Sequence, residues 1–448
     1  MRLVEIAHRS VLVARLPSSV PLRRLPRGFL GMALVSIALL AAPMSRAGEA
    51  GQLGFDERRL GRLKGAIQEQ IDQGKLAGGV MFIQRDGRTV LFEAYGQMDL
   101  EQKKPMRTDA IFRIASMSKA VTTVAALILY EEGRFMLNEP LGKYLPAFAN
   151  SVVAVPPPPG SPPHVKYVTQ PAKRPITIRH LMTHTSGLTY GEGATLAAGD
   201  HERARLQGWY FADRDETIGD AIERLAKLPL NGHPGEAWQY GYSSDVLGRL
   251  IEVVSGQPLD RFMQERIFAP LKMTDTSFYL PREKAARLAT VYGITDGQLA
   301  RGDQGAYVEG PRKFFSGGAG LLTTAQDYGR FLQMLLKGGA LGNVRLLSPT
   351  TVALMHENHV GEQYATQTRA PGQGTHGFGL GFWVNDQPGH MGEAIGAGAF
   401  GWGSAYFPQY VVDPTNQLVF FFLTQLRPAG DSTLNHRIKV LTYQALIK

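Results

Sequence analysis

Ile114-Ala115-Ser116-Met117-Ser118-Lys119, running on into Ala120-Val121-Thr122-Thr123-Val124-Ala125-Ala126-Leu127-Ile128-Leu129-Tyr130, is the stretch on which this chain turns. It sets a serine and a lysine three residues apart at the start of an apolar helix. Residues at i and i+3 lie about one turn apart on the same face, so the Lys119 ammonium can reach the Ser116 hydroxyl. A free serine hydroxyl is a poor nucleophile and needs such a neighbour. Burying the helix would desolvate Lys119 and give it some capacity to accept a proton. The helix N-terminus favours negative charge developing at Ser116. Alone, S-x-x-K is a weak signal. A chain of this size holds on the order of one by chance, and its ordinary meaning is an N-cap beside a solvated lysine.

Two distant segments add to it. Trp238-Gln239-Tyr240-Gly241-Tyr242-Ser243-Ser244-Asp245-Val246-Leu247-Gly248 puts Tyr240 on a loop just before a helix. A phenol pointing from there into a cleft, beside an ammonium, is a candidate general base. The plainer reading is a buried structural tyrosine. Phe400-Gly401-Trp402-Gly403-Ser404-Ala405-Tyr406-Phe407 opens a strand-like run whose small residues let a backbone N–H approach a ligand closely.

Around these segments the pattern is mixed. Leu60, Leu63, Ile67 and Ile71 predict an amphipathic helix over about 56–73. Residues 78–84 and 89–95 are rich in strand formers and flank Arg85-Asp86-Gly87-Arg88, which reads as a hairpin. Residues 116–132, 245–254 and 324–336 read as helices, stopped by Gly133, Gly256 and Gly338. Residues 154–175 hold eight prolines and read as a surface insertion. Residues 405–412 and 418–423 read as strands around a Pro-Thr-Asn turn. The expected class is α/β (α+β): an α/β part from 48–115 and 300–448, with a mainly helical part from 116–299 that carries the proline-rich insertion at 150–175.

Composition excludes several chemistries. The 448 residues include no cysteine, which removes disulfides, thiol nucleophiles and Cys-ligated metals. Of the net charge of +9, residues 1–47 carry +6 (seven arginines and one glutamate), leaving +3 on the rest. No basic run remains, so nucleic acid is not an expected partner. Arg23, Arg24 and Arg27 precede an apolar core from 29 to 42, followed by Ser45, Arg46 and Ala47. This predicts a signal peptide cut after Ala47 and a periplasmic or secreted mature chain with no membrane span. The rival is an uncleaved anchor, though the apolar core falls about a third short of the ~20 residues that span a bilayer. Gly396-Ala397-Gly398-Ala399-Phe400-Gly401 matches G-x-G-x-x-G but precedes strand-like sequence, and so reads as a loop. His356 and His359 have the wrong spacing for zinc.

Taken in order, Ser116-Met117-Ser118-Lys119, Leu181-Met182-Thr183-His184-Thr185-Ser186-Gly187-Leu188, Trp238-Gln239-Tyr240, Asp245-Val246-Leu247-Gly248, Gly317-Gly318-Ala319-Gly320-Leu321-Leu322-Thr323-Thr324 and Trp402-Gly403-Ser404 resemble the serine β-lactamase and penicillin-binding-protein superfamily. The resemblance is to its class C-like branch, nearest the family VIII carboxylesterases. It implies an antiparallel sheet flanked by helices, plus an all-helical domain, with the site between them. Ser116 is then the nucleophile, and Lys119 and Tyr240 share the proton. The N–H groups of Ser116 and Ala405 form the oxyanion hole. Trp402, Gly403, Ser404 and Tyr242 meet the substrate. No metal or cofactor is implied, and His184 supports a loop.

The departures point within the family. β-Lactamases carry Lys where this chain has Trp402, and an indole offers an apolar wall in place of a cation. Tyr242 replaces the usual Asn. Both favour a small-molecule ester over a lactam. A β-lactamase or D-amino-acid peptidase is the alternative on the same scaffold. A non-catalytic β-lactam or wall-fragment sensor is the alternative of another class, and it would be expected to have lost Ser116, Lys119 or Tyr240.

Overall fold

The computed structural model describes residues 47–368, 376–386, 389, 392–428 and 433–448. The expected export segment lies outside these, apart from Ala47. Five helices matter here: α1 (Glu57–Asp72), α2 (Ser118–Glu131), α3 (Ser243–Ser255), α4 (Ala325–Leu336) and α5 (Thr433–Ala445). The strands of the large sheet are β1 (Gly78–Arg85), β2 (Arg88–Asp99), β3 (Lys104–Pro105), β4 (Gly377–Phe378), β5 (Trp383–Val384), β6 (Phe400–Gly403), β7 (Gln409–Asp413) and β8 (Leu418–Thr424). Their order across the sheet is β4-β5-β6-β7-β8-β1-β2-β3, with every neighbouring pair antiparallel. β8 pairs with β1 from Gly79–Thr424 to Arg85–Leu418, so the two ends of the chain meet in mid-sheet.

Local sequence explains most of these elements. Asp56 caps α1 by accepting from the Arg59 N–H, and Leu60, Leu63, Ala66 and Ile67 form its buried face. Asp86 and Gly87 both have positive φ, as a two-residue hairpin turn requires. Thr324 caps α4, and Gly256 ends α3 in the left-handed region.

Helices cover both faces of the sheet. Met81, Ile83, Phe420 and Phe422 join Leu60, Leu63 and Ile67 of α1 and Leu434 and Ile438 of α5 in one core. Val80, Phe82, Phe421 and Leu423 join Tyr328, Phe331 and Leu332 of α4 in the other. A Cβ on Gly329 would lie 2.7 Å from Phe82, so glycine there lets α4 lie close on β1. Phe421 is fully buried and stacks on Phe82 at 4.9 Å. Truncating it to Ala would cost about 3–5 kcal/mol.

Residues 118–129 of α2 are all buried, and the helix packs on α3. An apolar helix closed in on all sides is a core element.

Two expectations change. The run expected as one strand over 405–412 is broken. Residues 404–408 form a tight turn, with Ser404 N–H donating to Pro408 O and the Tyr406 N–H to Ser404 Oγ, and β7 begins only at Gln409. Pro408 has no N–H for a ladder, and serine supports the turn. The proline-rich insertion has a regular base: Val152–Val155 pairs with Val168–Pro171. Its β-branched residues outweigh the prolines at the two ends.

Candidate active site

Ser116 stands on a single 3-10 turn, Ala115–Met117, that runs straight into α2. The turn is stitched to Leu321, just ahead of the short strand Leu322–Thr324 that leads into α4: Ile114 N–H donates to Leu321 O at 3.1 Å and Leu321 N–H to Ser118 Oγ at 3.1 Å. Every residue from Ala110 to Leu129 is buried except Ser116. Ala115 has φ +37°, a strained value for a residue with a Cβ, costing about 1–3 kcal/mol. Packing against Val291, Ala319 and Tyr406 holds it there.

Lys119 is 1 % exposed. Its ammonium has three protons and three oxygens in reach: Gly318 O at 2.8 Å, Tyr190 Oη at 3.2 Å and Ser116 Oγ at 3.3 Å. No carboxylate contacts it directly among the described residues. Behind it, at the start of α3, Asp245 Oδ1 accepts from Ser316 Oγ (2.6 Å) and Gly318 N–H (3.1 Å). Burial pushes the Asp245 carboxyl up, opposed by the Ser316 bond and by Lys119. Thr122 Oγ1 donates to Gly317 O at 2.7 Å, so the glycine run is clamped between α2 and α3. A Cβ on Gly318 would lie 2.5 Å from Asp245 Oδ2, so no side chain fits there.

Tyr240 is half-buried, and its ring is boxed in. Lys119 Nζ lies 4.5 Å from the ring centroid, Trp238 stacks at 5.7 Å and 14°, and His184 is at 4.8 Å. Trp402 Nε1–H donates to Tyr240 Oη at 3.3 Å. Tyr190 meets the Tyr240 ring edge-on at 5.7 Å. Burial, then Tyr240 and Asp245, push the Tyr190 hydroxyl well above its ordinary range, so it stays protonated. Burial, then Lys119, push the His184 imidazole well below its usual value, so it is neutral.

The structure thus gathers Ser116, Lys119, Tyr240 and Trp402. The turn bearing Ser116 lies against β6, and Ala115 and Ala405 share one small apolar cluster with Trp209 and Tyr406. The N–H groups of Ser116 and Ala405 have no acceptor among the described residues. Gly403 ends β6 opposite Gln409, and the Ser404 hydroxyl is engaged by its own turn. Tyr242 departs from expectation. It is 1 % exposed, and its one hydroxyl proton is shared between the carbonyls of Leu206 (2.6 Å) and Gly208 (2.5 Å), so it braces the helical region and does not face substrate. Tyr190 is the residue sequence reasoning missed. It lies two positions beyond the matched run ending at Leu188, and that was the signal available. Among the described residues, no group of three or more His, Asp or Glu could hold a metal ion, and no helix is long and apolar enough to cross a membrane.

Known proteins share this fold. Residues 63–443 match the family model described as Beta-lactamase. The chain is 31 % identical over 392 residues to esterase EstB of Burkholderia gladioli, covering 83 % of this chain and 91 % of that one. It is 33 % identical over 312 residues to lovastatin esterase of Penicillium rubens, covering 68 % and 74 %. Among solved structures it is similar to EstCE1, a hydrolase with promiscuous acyltransferase activity, at TM-score 0.74 and 28 % identity, covering 86 % of this chain and 99 % of that one. The chain belongs to the beta-lactamase family and is a serine hydrolase within it.

Proposed function

We propose that the mature chain is an exported esterase that cleaves small or medium acyl esters through an acyl-enzyme on Ser116. The observation that carries the reading is the lone opening at Ser116 in an otherwise buried run, with the Lys119 ammonium 3.3 Å from its oxygen. Ser116 Oγ attacks the ester carbonyl carbon and its proton passes to the Lys119–Tyr240 pair, with Tyr190 completing the lysine's contacts. The carbonyl oxygen becomes an oxyanion held by the N–H groups of Ser116 and Ala405. Losing one such donor typically costs about 10²–10³ in rate. Collapse expels the alcohol, which takes the proton. Water then attacks the acyl-enzyme by the same route in reverse and frees the acid. Trp402, where the lactam-cleaving relatives carry a cation, favours an apolar acyl or alcohol group.

The test uses residues 48–448 with p-nitrophenyl butyrate and a chromogenic cephalosporin, and with Ser116→Ala and Tyr240→Phe as controls. Fast Ser116-dependent ester turnover with little cephalosporin cleavage supports the esterase. The reverse preference moves the chain to the lactam branch. A stable acyl adduct without turnover makes it a sensor. N-terminal sequencing of the protein from the periplasmic fraction or the medium tests export, with Gly48 as the expected first residue.

A further inference from the structure

The hydroxyl of Tyr240 has one hydrogen-bond donor among the described residues, and it is the indole N–H of Trp402 at 3.3 Å. Lys119 does not play that part. Its ammonium sits over the ring face, 4.5 Å from the centroid, and its three protons go to Gly318, Tyr190 and Ser116. The charge therefore lies beside the π-system while the oxygen is served by an uncharged donor from β6. The ring cannot easily swing away, because Trp238 stacks on it and His184 and Tyr190 close in around it. Trp402 is itself held by Phe378, edge-on at 5.4 Å. The indole N–H has Tyr240 as its partner, so its orientation and that of the phenol are fixed together.

We propose that Trp402 is a positioning residue for proton transfer as well as a wall: its N–H sets the direction of the Tyr240 hydroxyl and favours the form that accepts the proton of Ser116. The proposal rests on the Ser116–Lys119–Tyr240 reading. A donor aimed at an oxygen that becomes negative stabilises that form. It also leaves the remaining lone pair and the hydroxyl proton directed away from the indole. Hydrogen bonds to a charged group are worth about 1.5–3 kcal/mol, which corresponds to roughly 10- to 150-fold in rate. An apolar wall alone would act on ester binding and leave the proton step untouched.

The experiment measures kcat, KM and the pH profile of kcat/KM for p-nitrophenyl butyrate hydrolysis by Trp402→Phe, Trp402→His, Tyr240→Phe and the Trp402→Phe/Tyr240→Phe double variant. Thermal melts check that each is folded. Phe keeps an aromatic face but has no N–H, and His restores one. The expected result is a loss in kcat of about 10-fold or more for Trp402→Phe with KM within about 2-fold. The acidic limb of its profile should move to higher pH, and Trp402→His should recover part of both effects. In the Tyr240→Phe background, Trp402→Phe should cost nothing further, because its partner is already gone. A raised KM with unchanged kcat and pH profile, or equal losses in both backgrounds, overturns the role of Trp402 and leaves the mechanism standing. Tyr240→Phe at the wild-type rate overturns both.

Discussion

Replacing Tyr190 by Phe tests whether the site depends on how its lysine is held. The ammonium of Lys119 is sealed from solvent and spreads its three protons over Gly318, Tyr190 and Ser116. The substitution removes the phenol oxygen at 3.2 Å and leaves one proton of a buried cation without an acceptor. Hydrogen bonds to charged groups contribute about 1.5–3 kcal/mol, and 1.36 kcal/mol is tenfold in rate, so kcat/KM should fall by roughly 10- to 150-fold. The ring itself stays. Its edge-on contacts with Tyr240 at 5.7 Å and Tyr242 at 4.9 Å survive, so the melting temperature should move by no more than a few degrees. Ester hydrolysis under saturating and sub-saturating p-nitrophenyl butyrate, paired with a thermal melt, separates the two effects. A variant within threefold of wild type in kcat/KM would refute the reasoning. Lys119 would then be held well enough by Gly318 and Ser116 alone.

Other perturbations act at a distance from the chemistry. Gly318→Ala drives a Cβ against the Asp245 carboxylate and shifts the carbonyl that accepts from Lys119, so it should cost about 1–3 kcal/mol in denaturant unfolding and lower the esterase rate together. Arg113→Met strips the side-chain donors from Gln304 O and Ala289 O in the interior, while Gln425 Oε1 keeps its bond from the backbone N–H of residue 113. With about 1–3 kcal/mol for each orphaned acceptor, it should lower the urea midpoint sharply. Burial, with Lys439 second, pushes the His376 imidazole down to about 4. Between pH 6.5 and 4 the unfolded chain therefore binds this proton and the folded chain does not. Stability should fall by about 3 kcal/mol across that window as pH drops, and His376→Leu should remove that part of the slope.

What could be read from sequence was what is local. Ser116 and Lys119 are one helical turn apart, so spacing alone brings them together, and the hairpin of β1 and β2 follows from strand formers flanking Asp86-Gly87. Tyr190 reaches Lys119 across 71 residues, and its place two positions beyond the run ending at Leu188 is the one local hint of that partner. Tyr240 and Tyr242 look alike on paper. They part only when Leu206 and Gly208 supply carbonyls that draw Tyr242 into the interior. Trp402 reads as an apolar wall, because a hydrogen bond to a residue 162 positions away has no imprint on the residues beside it. The turn at 404–408 was hidden by the strand formers around it, although Pro408 was the clue.

The pairing of β8 with β1 has a consequence for how the chain is made. The Thr424 hydroxyl donates to the Gly78 carbonyl across 346 residues. Closing a loop of that length costs about 5 kcal/mol in chain entropy beyond a constant. Until the last strand leaves the ribosome, β1 and β2 form a hairpin with one bare, apolar edge, the kind that recruits other chains. A transcript cut short before Leu418 would still encode the serine and lysine, but on a scaffold prone to aggregate. Nascent chains should therefore need protection until synthesis is nearly complete, and folding should be slow for the size of the protein.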